Sequence, residues 1–304
     1  MPVSQMKPAV SLSRRTFLQG MGAGAAAMIA AHLLQGQALA SAPVTGDQWG
    51  MLIDLTRCVG CNSCVLACRT TNRLPESETL PMELSNKAFT FVDERTVTEA
   101  DGSAGQRHVK RQCMHCLDAA CVAACPAAAM YKSEEGPVLY RAERCLGCRY
   151  CQVACPFGVP SFDWDNSLTP VISKCWLCYQ RLAAGENPAC AAACPTGALR
   201  FGKRADLLAQ AHAQITSAPD RYIDHIFGEH EVGGTSVLYL SDIPFAELGF
   251  PTDLPDEAPP EQTDKVMNVL PGVILGVATV VTGAATATHR RGHAESAAKS
   301  GEEV

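Results

Sequence analysis

Several signatures of catalysis are missing from this chain. It has no nucleophile elbow, no phosphate loop and no flavin or nicotinamide fingerprint. Acyl transfer, nucleotide chemistry and hydride transfer therefore lack the residues they need. A basic stripe is missing too. The first forty residues hold Lys7, Arg14 and Arg15 but no acid; beyond them, 22 basic residues face all 31 acidic ones. An acidic body of this kind speaks against a nucleic-acid partner. Histidines are few, and His108, His115, His212, His225 and His230 show no ligand spacing.

The chain has 304 residues, enough for one or two domains with real cores. Its 16 cysteines are far more than an ordinary enzyme carries and too dilute for a small disulfide scaffold. Mean hydropathy is +0.02, which fits a soluble body with one or two apolar segments.

Those segments lie at the ends. Ser13-Arg14-Arg15-Thr16-Phe17-Leu18-Gln19 precedes a weakly apolar stretch closed by Ala38-Leu39-Ala40. Basic start, apolar middle and A-x-A close describe a cleavable export signal over residues 1–40, and the paired arginines make it a twin-arginine signal. That route carries folded proteins, so a cofactor can be installed before export. At the other end, Val266–Thr288 is free of charge. As a helix it would span about 35 Å, enough for a bilayer core. Arg290 and Arg291 follow, and a Pro- and acid-rich tether over 249–265 precedes it. The positive-inside rule then places residues 289–304 in the cytoplasm and the body on the periplasmic face. The span holds no His to bind haem and no acid or base to relay protons. Gly272 and Gly276 form a small-residue face suited to a membrane partner.

The cysteines fall into four groups of four with none left over. Cys58, Cys61, Cys64 and Cys68 are spaced C-x2-C-x2-C-x3-C. Cys113, Cys116, Cys121 and Cys125 are spaced C-x2-C-x4-C-x3-C. Cys145, Cys148, Cys151 and Cys155 repeat the first spacing, and Cys175, Cys178, Cys190 and Cys194 are spaced C-x2-C-x11-C-x3-C. The first and third match the bacterial ferredoxin run for [4Fe–4S]. Three thiolates two residues apart wrap one face of a cubane. The fourth is expected to open a helix and point to the neighbouring cluster. Gly60 and Gly147 suit the tight loops, and Pro126, Pro156 and Pro195 fix the exits. Zinc takes two C-x2-C pairs and gives no reason for the x3 cysteine followed by proline. Adjacent C-x2-C-x2-C thiols pair poorly as disulfides, and a redox C-x-x-C needs one motif, not four. Four complete quartets imply four [4Fe–4S] clusters and hence electron transfer. Trp176, inside the fourth group, is expected to pack over its cluster.

The rest of residues 50–200 reads as short strands ("GMLIDLT", "PVLY") before the cysteine loops, with polar connections at 70–112 and 156–174. "RADLLAQAHAQI" reads as a helix and "SVLYL" as a strand.

The stretches "KRQCMHCLDAACVAACP", "CLGCRYCQVACPFGVP", "SKCWLCYQR", "CPTGALRFGKRADLL" and "GGTSVLYLSDIPFAELGFP" resemble the DMSO-reductase-type iron–sulfur subunit family. With the signal and the single anchor, they are most similar to its hydrogenase-2 electron-transfer branch. The resemblance implies an α+β fold of two nested ferredoxin-like halves, one over 41–112 and 175–248, the other over 113–174. It implies four ligand sets: Cys58, Cys61, Cys64 with Cys194; Cys68 with Cys175, Cys178, Cys190; Cys113, Cys116, Cys121 with Cys155; and Cys125 with Cys145, Cys148, Cys151. It further implies a non-catalytic subunit that takes electrons from a nickel–iron hydrogenase and gives them to an integral-membrane quinone-reacting subunit. The alternative it leaves open is the beta subunit of a formate dehydrogenase or another molybdenum oxidoreductase.

Overall fold

The computed structural model describes residues 48–98, 102–164 and 171–300. The export signal at 1–40 and the last four residues of the tail lie outside them. Strand β1 (Trp49–Asp54) is followed by helix α1 (Ser63–Thr71), then by strands β2 (Phe91–Thr98) and β3 (Ala104–Arg111). Helix α2 (Ala120–Ala123), strands β4 (Met130–Lys132) and β5 (Val138–Tyr140), and helix α3 (Tyr150–Ala154) come next. Then follow β6 (Ser161–Phe162), β7 (Ile172–Ser173), α4 (Tyr179–Ala183) and α5 (Ala189–Ala192). The chain ends with β8 (Leu199–Lys203), α6 (Arg204–Ser217), β9 (Val237–Leu240) and the long helix α7 (Pro259–Ser300).

The centre is a three-stranded sheet of order β8-β1-β9. β1 runs antiparallel to β8, with Ile53 opposite Leu199, and parallel to β9, with Met51 opposite Val237. Its apolar run is buried on both faces, as a middle strand requires. Alternation sorts the side chains. Leu52, Leu238 and Leu240 face α6, which answers with Leu207, Ala211 and Ile215, spaced one turn apart. Met51, Ile53, Val237 and Tyr239 face the other way and pack with Cys64, Val65 and Cys190. One face of the sheet is thus closed by α6 and the other by the cysteine-bearing helices α1 and α5.

The connection expected over 70–112 holds a hairpin. β2 and β3 pair from Phe91 opposite Arg111 to Thr98 opposite Ala104. Its alternation is hidden by charge, because much of the hairpin stays in water and few positions need be apolar. It is tied down by Arg107, which grips Asp242 at 2.5 Å, and by Arg111, stacked 4.1 Å over Phe250. The second polar connection carries the short β6–β7 pair, and β4 pairs with β5.

Helix α7 starts earlier than the apolar span predicts. It takes in the end of the expected tether, because Pro259 and Pro260 suit a first helical turn and Glu261 lies at its positive end. The most apolar 18 residues within Pro259–Thr286 have a mean hydropathy of 1.9, and this is the one helix, among the described residues, long and apolar enough to cross a membrane. Its large apolar side chains, Val273, Ile274 and Val280 among them, are exposed.

Candidate iron–sulfur site

The loop into the first group is set by a buried carboxylate. Asp54, fully enclosed at the end of β1, accepts from Thr56 N at 3.1 Å, Thr56 Oγ1 at 2.7 Å and the Tyr222 hydroxyl at 2.9 Å. That closes the turn through Leu55–Arg57 and delivers Cys58. Gly60 then turns at φ +68°; a Cβ there would lie 2.5 Å from His108 Nδ1.

The fourth thiol does not open the helix. α1 begins at Ser63 and α3 at Tyr150, each one residue before the third thiol and each behind a left-handed residue, Asn62 or Arg149. The C-x3-C spacing is one helical turn, so third and fourth thiols stack along one side of the helix. In the first group both lie inside α1; in the third, Cys155 caps the end of α3 before Pro156.

The thiols gather in sets. Cys58, Cys61, Cys64 and Cys194 line one cavity with Val92 and Thr196. Cys68, Cys175, Cys178 and Cys190 line a second, with Lys110, Gln112 and Trp176. Burial pushes Cys64 up to about 11 and Cys68 up to about 12, and neighbouring thiolates add to it. Cys116 is raised by burial and then by Cys113, Cys155 and Cys121. Cys151 is raised to about 11 by burial and then by Cys125, Cys145 and Cys148. Neighbouring sets also meet: Cys64 feels Cys190, Cys175 feels Cys113, and Cys121 feels Cys151. Cys194 runs the other way. Burial raises it, but hydrogen bonds from the Leu199 amide and the Thr196 side chain win and hold it below the usual thiol range.

Helix packing follows the same grouping: α1 lies against α5, and α2 against α3. Amide N–H groups point at sulfur, from Ala129 to Cys125 at 3.2 Å, Gly147 to Cys145 at 3.4 Å and Leu177 to Cys175 at 3.3 Å. Such donors stabilise thiolate sulfur bound to metal. His115 is fully buried. Its Nδ1 accepts from the Val138 amide at 3.0 Å, which leaves the proton on Nε2, and Nε2 has no partner among the described residues. A buried donor of that kind calls for a group that fills the space. No three of the His, Cys, Asp and Glu side chains described come together around a single ion. Tetrahedral zinc would need sulfurs about 3.8 Å apart at its usual bond length. The donor set fits a bulkier thiolate-held body, as a [4Fe–4S] cubane is.

Of the other described histidines, His212 pairs with Glu229 at 2.9 Å and His225 with Glu231 at 2.7 Å. Trp176 stacks on Tyr140, with ring centroids 5.7 Å apart, against the second cavity. Two residues stand out that spacing alone did not mark. Lys110 and Lys174 are both buried, at 0% and 2% exposure. The only sequence signal was their place just ahead of the second and fourth groups.

Paired cysteine quartets on short helices beside a sheet describe a protein of the 4Fe–4S dicluster class. Two 4Fe–4S dicluster families match, at residues 50–126 and 106–204. A protein of Nitratidesulfovibrio vulgaris is 40% identical over 288 residues, covering 92% of this chain and 78% of that one. The hydrogenase-2 operon protein HybA of Escherichia coli O157:H7 is 32% identical, covering 88% and 93%. The iron–sulfur subunit of the nitrate-inducible formate dehydrogenase of Escherichia coli K12 is 34% identical, covering 66% and 72%. The chain belongs to the DMSO-reductase-type iron–sulfur subunit family, the electron-transfer subunits that include these hydrogenase and formate dehydrogenase proteins.

Proposed function

We propose that the chain is a membrane-anchored wire of four [4Fe–4S] clusters on the periplasmic face. It links a nickel–iron hydrogenase to an integral-membrane quinone-reacting subunit. The observation that carries this reading is the unbroken series of thiol sets, in which each set touches the field of the next. When bound, each cubane supplies a site for one electron. The protein's part is to hold the sets in file, direct amides at the sulfurs and exclude water from Cys64, Cys68, Cys113, Cys121, Cys151 and Cys190, all buried.

The proposed ligand sets are Cys58, Cys61, Cys64, Cys194; Cys68, Cys175, Cys178, Cys190; Cys113, Cys116, Cys121, Cys155; and Cys125, Cys145, Cys148, Cys151. Two shared cavities and the mutual shifts of the other thiols support them. Nested ferredoxin-like halves, 41–112 with 175–248 around 113–174, are supported by the β1–β8 pairing and by α1 lying on α5. Helix α7 supports the anchor, and Arg14-Arg15 supports twin-arginine export.

The likeness to HybA runs over 93% of that protein, which favours the hydrogenase reading. The formate dehydrogenase likenesses run over 64% to 76% of this chain. Affinity purification in mild detergent decides between them. Recovery of nickel–iron hydrogenase subunits is expected; a molybdenum formate dehydrogenase in their place overturns the partner. About sixteen irons and sixteen labile sulfides per chain are expected. Several zincs without sulfide would instead make the chain a zinc scaffold.

A further inference from the structure

Lys110 sits near the end of β3, opposite Val92, with no exposed surface. Its carbonyl accepts the Tyr239 hydroxyl at 2.8 Å, which fixes the backbone to the sheet. Its ammonium has three donors and one acceptor among the described residues, Gln112 Oε1. Lys110 lines the same cavity as Cys68, Cys175, Cys178 and Cys190. No carboxylate pairs with it among the described residues; the ionisable groups that act on it are Cys190, Cys64, Cys175 and Tyr239.

A buried ammonium without an anion beside it is strongly disfavoured. Lys132, less enclosed, donates to the Cys116 carbonyl at 2.7 Å. Lys110 is more deeply buried, and the sulfurs of Cys68, Cys175, Cys178 and Cys190 line the same cavity as it does. Lys174 differs again. It is satisfied by the carbonyls of Val138 at 2.5 Å and Cys175 at 2.9 Å. Of these three lysines, Lys110 alone has only a side-chain amide as its protein acceptor.

We propose that Lys110 is the internal counter-charge shared by the two clusters held by Cys58, Cys61, Cys64, Cys194 and by Cys68, Cys175, Cys178, Cys190. It is a positioning residue for electron transfer, resting on the cluster reading above. A cubane with four thiolates is anionic when oxidised and gains a further negative charge when reduced, so a fixed cation beside it favours the reduced form. The effect falls on two of the four clusters, since Lys110 lines the cavity of the second set and Val92, its cross-strand partner, lines that of the first.

The test is an EPR-monitored redox titration of the full chain in detergent, with iron and sulfide measured on the same samples. In Lys110→Met, two midpoints are expected to fall while the other two stay. At a fixed ambient potential the reduced-to-oxidised ratio of the affected pair drops at least tenfold, which is about 59 mV for a one-electron couple. Lys110→Arg keeps the charge and is expected to stay near the unaltered midpoints. Full iron in Lys110→Met with all four midpoints unmoved overturns the proposal, and so does an equal shift of all four. If Lys110→Met loses iron, full iron in Lys110→Arg supports the counter-charge and equal loss in Lys110→Arg overturns it. Failure of the cluster reading itself shows separately, as missing sulfide in the unaltered chain.

Discussion

The surroundings of the first and fourth cysteine groups differ from those of the second and third. The first and fourth rest on a three-stranded sheet with a core on each face, including Leu52, Leu238 and Tyr239, all buried to 1% or less. The second and third rest on two-stranded ribbons and a core of Ala119, Cys121, Met130, Val138, Cys151 and Ile172. Two of those six are themselves proposed ligands. Isolated two-stranded ribbons are marginal in water, and so small a core offsets little chain entropy. The difference teaches that one region is held by its own packing and the other by what its thiols bind.

The largest test of that contrast is removal of iron with a chelator under reducing conditions. Residues 113–164 and 171–174 are expected to lose amide exchange protection almost completely, while β1, β8 and β9 keep most of theirs. Uniform loss across both regions would remove the distinction.

A smaller effect is expected from Cys194→Ser. It should cost about a quarter of the iron, one cluster in four, and leave Cys58, Cys61 and Cys64 open to alkylation. Protection should persist at Cys175 and Cys178. Alkylation confined to Cys175 and Cys178 would refute the crossed assignment.

The smallest effect compares two glycines. Gly60 and Gly158 both have positive φ, +68° and +61°, but a Cβ at Gly60 meets His108 whereas one at Gly158 meets nothing within 4 Å. Gly158→Ala carries backbone strain alone, about 1–2 kcal/mol. Gly60→Ala adds the His108 clash and is expected to cost about 1 kcal/mol more. Denaturant midpoints of the two variants measure the gap; equal losses would show that His108 yields freely.

Much of this was legible in the sequence. The quartets, the run "GMLIDLT", the helix over Arg204–Ser217 and the strand Val237–Leu240 all declare themselves by spacing or periodicity. The β2–β3 hairpin did not, because strands such as Gln106-Arg107-His108 keep polar residues wherever water reaches them. The helix onset before the third thiol was misplaced because the signal lies in Asn62 and Arg149 adopting left-handed backbone, which residue type does not announce. Lys110 was marked only by its place just ahead of the second group. A lysine on a charged strand looks solvated until Cys190 and Tyr239, far along the chain, close over it.

The parallel pairing of β1 with β9 has a consequence for how the chain is made. β1 lies just ahead of the first cysteine group, yet its two neighbours, β8 and β9, come after the last. As the chain leaves the ribosome, the second and third groups can find each other locally. On the proposed ligand sets, the first group waits until Cys194 has been synthesised, and β1 waits for Val237–Leu240. Closure across so long a separation is slow. On that reading a truncation before Leu240 is expected to leave β1 without its parallel neighbour and the earliest thiols of the chain without a finished site.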